Sequence, residues 1–299
     1  MEIPEKTMDQ WSFLHRAFYV FAKLVVPRFM RIFFRYQVHH SEYARMFPEG
    51  TPVIYCINHR SHLDALVLVS AVAMPYGSRA KLALMASGNA MRSNWFFGLM
   101  RVFGAFPVYK EKPEEAFGYA AKSLKKGIGI LIAPQGKRVL STPYHDYFNL
   151  EKEGKTGVGR LILDFNGKVP VVPAYIHGTA EALSRGKILP RFRAPLSVSF
   201  GHPLYWHEYT RKGGWSKADS DYFSTAREIA DKIMMQIREQ LIIREKDLFA
   251  LLERKYGTSI DKIEIHPNRK QAFERMIFKL LQLHPEQLQE LVQSGPKAC

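Results

Sequence analysis

Apolar positions along this chain follow two alternating rhythms. Short, nearly continuous apolar runs at residues 53–57, 82–86, 106–108, 128–133, 171–176 and 196–200 read as buried strands. Between them, residues 61–74, 93–103, 113–126 and 158–165 read as helices. Strand and helix in alternation predict an α/β domain, a mixed sheet flanked by helices, over residues 46–212. Gly213 and Gly214 then read as a hinge. Residues 222–243, 245–256 and 269–283 read as helices with mixed faces, forming a C-terminal helical extension over 213–299. Docking on the core, membrane contact and oligomerisation are all open to such an extension.

The first 45 residues have a different pattern. Residues 11–36 are rich in aromatic and aliphatic side chains, but Arg16, Lys23, Arg28, Arg31 and Arg35 interrupt them every few positions. No uncharged run there is long enough to span a bilayer, and no small-residue cleavage site follows an apolar core. With Pro27 dividing it, the stretch predicts a pair of amphipathic helices lying in the headgroup plane of a membrane. The alternative is a helix packed on its own domain. Residues 94–106, with Trp95, Phe96, Phe97, Leu99, Met100 and Phe103, offer a second membrane-facing or acyl-tunnel surface, which plain core would also explain.

Composition narrows the class. At 299 residues and 46% hydrophobic, the chain can bury a full α/β core, and 24% charged residues argue against disorder. Cys56 lies in a predicted strand and Cys299 at the terminus, so no structural disulfide is expected and a reducing compartment is implied. The net charge of +15 is concentrated. Residues 79–138 hold 11 Lys and Arg against 3 acidic residues, and residues 168–217 hold 8 against 2. That placement suits phosphate-bearing substrates and anionic lipid, the alternative being a solubilising surface. Nucleic acid is not the expected partner, because zinc-ligand spacings and an aromatic RNA-binding strand are both missing.

Candidate chemistry gathers just after the first predicted strand, in Asn58-His59-Arg60-Ser61-His62-Leu63-Asp64. The end of a buried strand is where α/β folds present reactive groups. His59 there can serve as a general base, with Asp64 fixing its tautomer and supporting the imidazolium. A helix cap beside a hydrogen-bonded histidine is the plainer alternative. Ser61 as a hydrolase nucleophile lacks a Gly-x-Ser-x-Gly elbow, and the residue more simply caps the next helix. His62 lacks a third N or S partner for zinc, so no metal is expected.

Four spaced segments together resemble the glycerolipid acyltransferase family. They are Asn58-His59 with Asp64; Gly104-Ala105-Phe106-Pro107-Val108-Tyr109-Lys110; Pro134-Gln135-Gly136-Lys137-Arg138; and Val169-Pro170-Val171-Val172-Pro173. Phe200-Gly201-His202-Pro203-Leu204 resembles the Gly-x-Pro end of the family's domain. Gln135 and Lys137 stand where the family has Glu and Thr, and Lys110 where Arg is usual. A neutral amide cannot act as a base or accept a bidentate Arg as a carboxylate does. Lys110 offers phosphate a point charge in place of a planar fork.

The resemblance implies an O-acyltransferase that moves a fatty acyl group from acyl-CoA or acyl carrier protein to a lysophospholipid hydroxyl. It needs no cofactor beyond that donor. His59 and Asp64 would be catalytic, and Arg138, Lys137 and Lys110 would hold the acceptor phosphate. Gln135 would lie among them, Gly136 would admit close backbone approach, and Asn58 would brace the turn or line the site. Backbone N–H groups near that turn are expected to stabilise the oxyanion. First among acceptors is 1-acylglycerol 3-phosphate, with glycerol 3-phosphate and other lysolipids as alternatives. The expected location is the cytoplasmic face of a membrane, peripheral or monotopic, with membrane lipids as partners. The rival outside enzymology is a membrane-surface protein that keeps this fold but has lost or narrowed its catalysis.

Overall fold

The computed structural model describes residue 4 and residues 7–257, apart from 77–80, 94–99, 140–145, 147–148, 153, 184–186 and 188. The expected helix at 269–283, residues 94–99 and Cys299 lie outside the described residues. The chain runs α1 (Phe13–Phe33), β1 (Arg35–His39), α2 (Glu42–Arg45), β2 (Ile54–Ile57), α3 (Leu63–Tyr76), β3 (Leu82–Ser87) and α4 (Gly88–Ser93). It continues through β4 (Ala105–Val108), α5 (Pro113–Lys125), β5 (Gly129–Ile132), α6 (Gly157–Asp164), β6 (Val171–His177) and α7 (Thr179–Ala182). Strand β7 (Pro195–Phe200) and helix α8 (Tyr222–Tyr256) complete it.

Seven strands form one mixed sheet in the order β1-β7-β6-β2-β5-β3-β4. The five from β6 to β4 are parallel, whereas β7 runs antiparallel to β6 and β1 parallel to β7. Alternation along the central strands divides the core in two. Ile54 and Cys56 of β2 and Ile130 and Ile132 of β5 face α5, α6 and α8. Tyr55, Ile57 and Leu131 face the side covered by α3 and the C-terminal half of α1. Both faces are buried, which is why these strands read as unbroken apolar runs.

The chain leaves β2 through α3 on one face and leaves β5 toward α6 on the other. Adjacent parallel strands whose connections depart to opposite sides open a crevice at their carboxyl ends. The turns that follow β2 and β5 meet there.

The structure differs from the sequence reading in four elements. Residues 13–33 form one helix through Pro27 rather than two, because buried Tyr19, Ala22, Lys23, Pro27 and Met30 share a face that packs inward. That packing carries the helix across the hydrogen bond Pro27 cannot make. Strand β1 was not foreseen, since its half-buried side chains at the sheet edge form no apolar run. The expected helix at 93–103 is divided, with α4 ending at Ser93 and a 3-10 turn spanning Met100–Phe103. The two C-terminal helices expected at 222–243 and 245–256 are one 35-residue helix, ended by Gly257 in the left-handed region. Its inner stripe of Tyr222, Ala226, Ile229, Ala230, Ile233 and Ile237 lies against α6 and β6.

Two consequences can be measured. A Cβ at Gly159 would lie 1.9 Å from the Ala226 carbonyl oxygen, so α8 and α6 touch backbone to backbone there. Gly159→Ala is expected to cost about 1–3 kcal/mol in urea unfolding, as overpacking typically does. Lys23 is buried above the Tyr19 ring, and burial first, with help from Lys81, lowers its pKa from 10.5 to about 8. Between pH 8 and 10 the unfolded chain binds the extra proton, so stability rises with pH by up to about 1.4 kcal/mol per unit. Comparing wild type with Lys23→Met by thermal melting at pH 7.5 and 9.5 should show the rise in the first and not in the second.

Candidate active site

The turn after β2 is built around a carboxylate. Asp64 opens α3, is almost fully buried, and accepts through Oδ2 from the Arg60 N–H at 2.7 Å and the Ser61 N–H at 2.8 Å. His59 Nδ1 lies 2.8 Å from the same oxygen. The Thr179 hydroxyl, from the start of α7, donates to Oδ1. With Nδ1 facing the carboxylate, Nε2 of His59 is left for a substrate, and the side chain is 28% exposed.

Neighbouring side chains lock this turn to the rest of the sheet. The Asn58 amide donates to the Ile176 carbonyl at 2.9 Å and accepts from the Ile176 N–H at 2.7 Å. It thereby extends the β2–β6 ladder by one side-chain rung. Gln135, buried in the turn after β5, accepts the His59 N–H at 2.6 Å, and the Val139 N–H donates to the His59 carbonyl at 2.8 Å. The two loops across the crevice are therefore directly joined. Gly136 takes φ +66°, and the stem of Lys155 lies over it.

Arg60 is buried and pairs with Glu181 of α7 at 3.1 Å. Burial works against its charge, but Glu181, Tyr175, Asp146 and Asp64 outweigh burial and raise its pKa. His62 is pushed down to about 4, first by burial, then by Arg138 and His59, so it is uncharged at neutral pH. Arg138 precedes Val139, whose N–H bonds the His59 carbonyl, and so lies beside the motif turn. Lys137 is exposed beside it.

Lys110 is set apart. It follows β4, three strands from β2, or about 14 Å at ordinary strand spacing. It is exposed at the same edge of the sheet as His59, where Arg92 of α4 lies 4.8 Å from the centre of the neighbouring Tyr109 ring. The structure thus joins His59, Asp64 and Gln135 by hydrogen bonds, ties adjacent Asn58 to β6 and brings Arg138 near. Lys110 stays at the periphery.

Two expectations need correction or completion. The N–H groups of His59, Arg60 and Ser61 are all engaged, by Gln135 and Asp64, so this stretch does not form the anticipated oxyanion hole. Ser61 Oγ accepts from the Leu63 N–H at 3.3 Å and donates to the Leu183 carbonyl at 3.2 Å, as a cap and tether. Thr179 and Glu181 were missed because they follow β6, more than 100 residues from the turn they serve. The one local signal was Gly178, whose φ of +83° turns the chain into α7. Among the described residues, no group of His, Cys, Asp and Glu is arranged to hold a metal ion.

Residues 35–177 match the model of the Acyltransferase family. This segment, just under half of the chain, runs from β1 to the end of β6, contains the whole turn and is similar to that family. A Mycoplasma pneumoniae protein named "Probable 1-acyl-sn-glycerol-3-phosphate acyltransferase" is 25% identical over 150 residues, 48% of this chain. The match spans about half, 52%, of that relative. The crystal structure of the 1-acyl-sn-glycerophosphate acyltransferase PlsC from Thermotoga maritima is similar at 17% identity and a TM-score of 0.46. That similarity covers 75% of this chain and 80% of PlsC.

The role of Gln135 can be tested through stability. Gln135→Ala leaves the His59 N–H without its partner and should cost about 1–3 kcal/mol, the usual penalty for an orphaned buried donor. Gln135→Glu keeps an acceptor in place and should melt closer to wild type. Thermal denaturation of both variants reads the difference.

Proposed function

We propose that the protein transfers a fatty acyl group from an acyl thioester to a hydroxyl of a lysophospholipid, with 1-acylglycerol 3-phosphate the leading acceptor. The observation that carries this reading is the 2.8 Å contact of His59 Nδ1 with the buried Asp64 at the carboxyl end of the central strand. The match of residues 35–177 to the Acyltransferase family supports the reaction class. The name of the Mycoplasma relative supports the acceptor.

In this mechanism His59 Nε2 takes the proton of the acceptor hydroxyl as its oxygen attacks the thioester carbonyl. Asp64 supports the resulting imidazolium through Nδ1–H. The tetrahedral intermediate collapses, the C–S bond breaks, and the thiolate leaves with the proton that His59 returns. An ester and a free thiol result, with no covalent acyl-enzyme. Base catalysis of this kind contributes about 10²- to 10⁴-fold, and holding both substrates in one crevice contributes the rest.

Arg138, with Lys137 beside it, supplies positive charge for the acceptor phosphate, and Lys110 extends that charge along the strand ends. The donor is acyl-CoA or acyl carrier protein, both of which are acidic and suit the basic surface. The protein acts at a membrane surface, peripherally or monotopically at the cytoplasmic face, with α1 lying along the headgroups. Among the described residues no helix is long and apolar enough to cross a membrane. On the outer face of α1, apolar Phe18, Phe21 and Ile32 are exposed beside Arg28 and Arg31.

Thiol release from acyl-CoA and from acyl carrier protein, with and without 1-acylglycerol 3-phosphate, tests the reading. Acceptor-dependent release by wild type should fall at least about 10²-fold in His59→Ala, with vesicle binding retained. Equal rates in the two proteins would remove His59 as the base. Release without acceptor would point to a thioesterase.

A further inference from the structure

The exposed apolar face of α1 does not end with the helix. The chain between α7 and β7 carries Leu189, 79% exposed, and Phe192, 49% exposed, flanked by exposed Arg191 and Arg193. The Phe192 ring packs 5.3 Å from Phe33 and 6.1 Å from Phe34, and the Arg193 N–H donates to the Phe33 carbonyl at 2.6 Å. Residues 189–193 thus prolong the surface of Leu14, Phe18, Phe21, Val25, Phe29 and Ile32 beyond the C-terminus of α1. The start of the α7–β7 connection is tied to the catalytic turn, where Ser61 Oγ donates to the Leu183 carbonyl.

We propose that residues 189–193, just before β7, are a second membrane-docking element, continuous with α1, whose occupant is an anionic bilayer surface. Charge selects this occupant. Large apolar side chains lie among exposed Arg28, Arg31, Arg35 and Arg193, with no acidic residue anywhere in α1 or in residues 183–194. Apolar insertion together with several arginines at the headgroups is the combination that gives stable yet reversible attachment to anionic lipid. Two contacts instead of one helix also fix how the protein lies on the bilayer. Because the Arg191 N–H donates to the Ala182 carbonyl at 2.6 Å, one residue before the Leu183 that Ser61 holds, docking sets the His59 turn next to the surface from which a lysolipid would enter. The inference rests on the membrane-surface part of the function proposed above, and its test needs no acyl transfer.

The full chain is floated with vesicles of phosphatidylcholine alone and with added phosphatidylglycerol, without donor or acceptor. The double variant Leu189→Ser/Phe192→Ser should lower partitioning onto anionic vesicles about tenfold or more, with the fold retained by circular dichroism. Met235→Ser, which removes an exposed apolar side chain on α8, should leave partitioning as in wild type. Arg193→Asn, which tolerates the left-handed backbone there, should narrow the preference for anionic over neutral vesicles. Unchanged partitioning in the double variant, where Phe21→Ser lowers it, would confine the contact to α1 and overturn the proposal. Wild type that floats with neither vesicle but forms a concentration-dependent dimer would overturn it too, assigning the face to a second copy.

Discussion

A carboxylate taken out of water has to find donors, and the Asp64 carboxylate finds them in its own turn. The Arg60 and Ser61 N–H groups, the Thr179 hydroxyl and the His59 ring together satisfy it. Unmatched, such a group would cost several kcal/mol or give up its charge. Meeting that demand curls residues 58–64 into one shape, starts α3 where it starts, orients the imidazole and recruits the first residue of α7. Arg60, held between Glu181 and Asp64, adds a compensating positive charge in the same interior. The His59–Asp64 geometry therefore follows from how an anion is buried.

The sheet supplies the second requirement, a place where two loops can meet. Strands β2 and β5 are neighbours although 72 residues separate Ile57 from Gly129, and their connections leave to opposite faces. The Gln135 amide oxygen crosses the resulting crevice to the His59 N–H. An N–H donor needs one lone pair and no charge, which explains how an amide serves in a position where the resembling family carries a carboxylate.

The central architecture was legible because its strands are buried on both faces and so advertise themselves as apolar runs. The His59–Asp64 relation was legible because five residues suffice to close that turn. What escaped the sequence was set by distant partners. Thr179 and Glu181 have no local signature that ties them to residue 64 or 60. The N–H groups of residues 59–61 looked available for an oxyanion until Asp64 and Gln135 were seen to take them. Strand β1 has polar and half-buried side chains, so only its pairing with β7 defines it. Pro27 predicted a break that packing against the core overrides.

The Tyr19 hydroxyl donates to the Leu82 carbonyl at 3.3 Å and accepts from the Leu82 N–H at 3.1 Å, deep in the interior. A helix sewn to the first residue of β3 in this way cannot swing out as a separate arm. Whatever α1 adheres to, the body of the protein moves with it as one piece. Under the proposed function, adhesion to a bilayer would be converted into orientation and local concentration rather than into a shape change. For the lipid substrate proposed above, diffusing in two dimensions, the useful quantity would become how often it drifts beneath a fixed doorway.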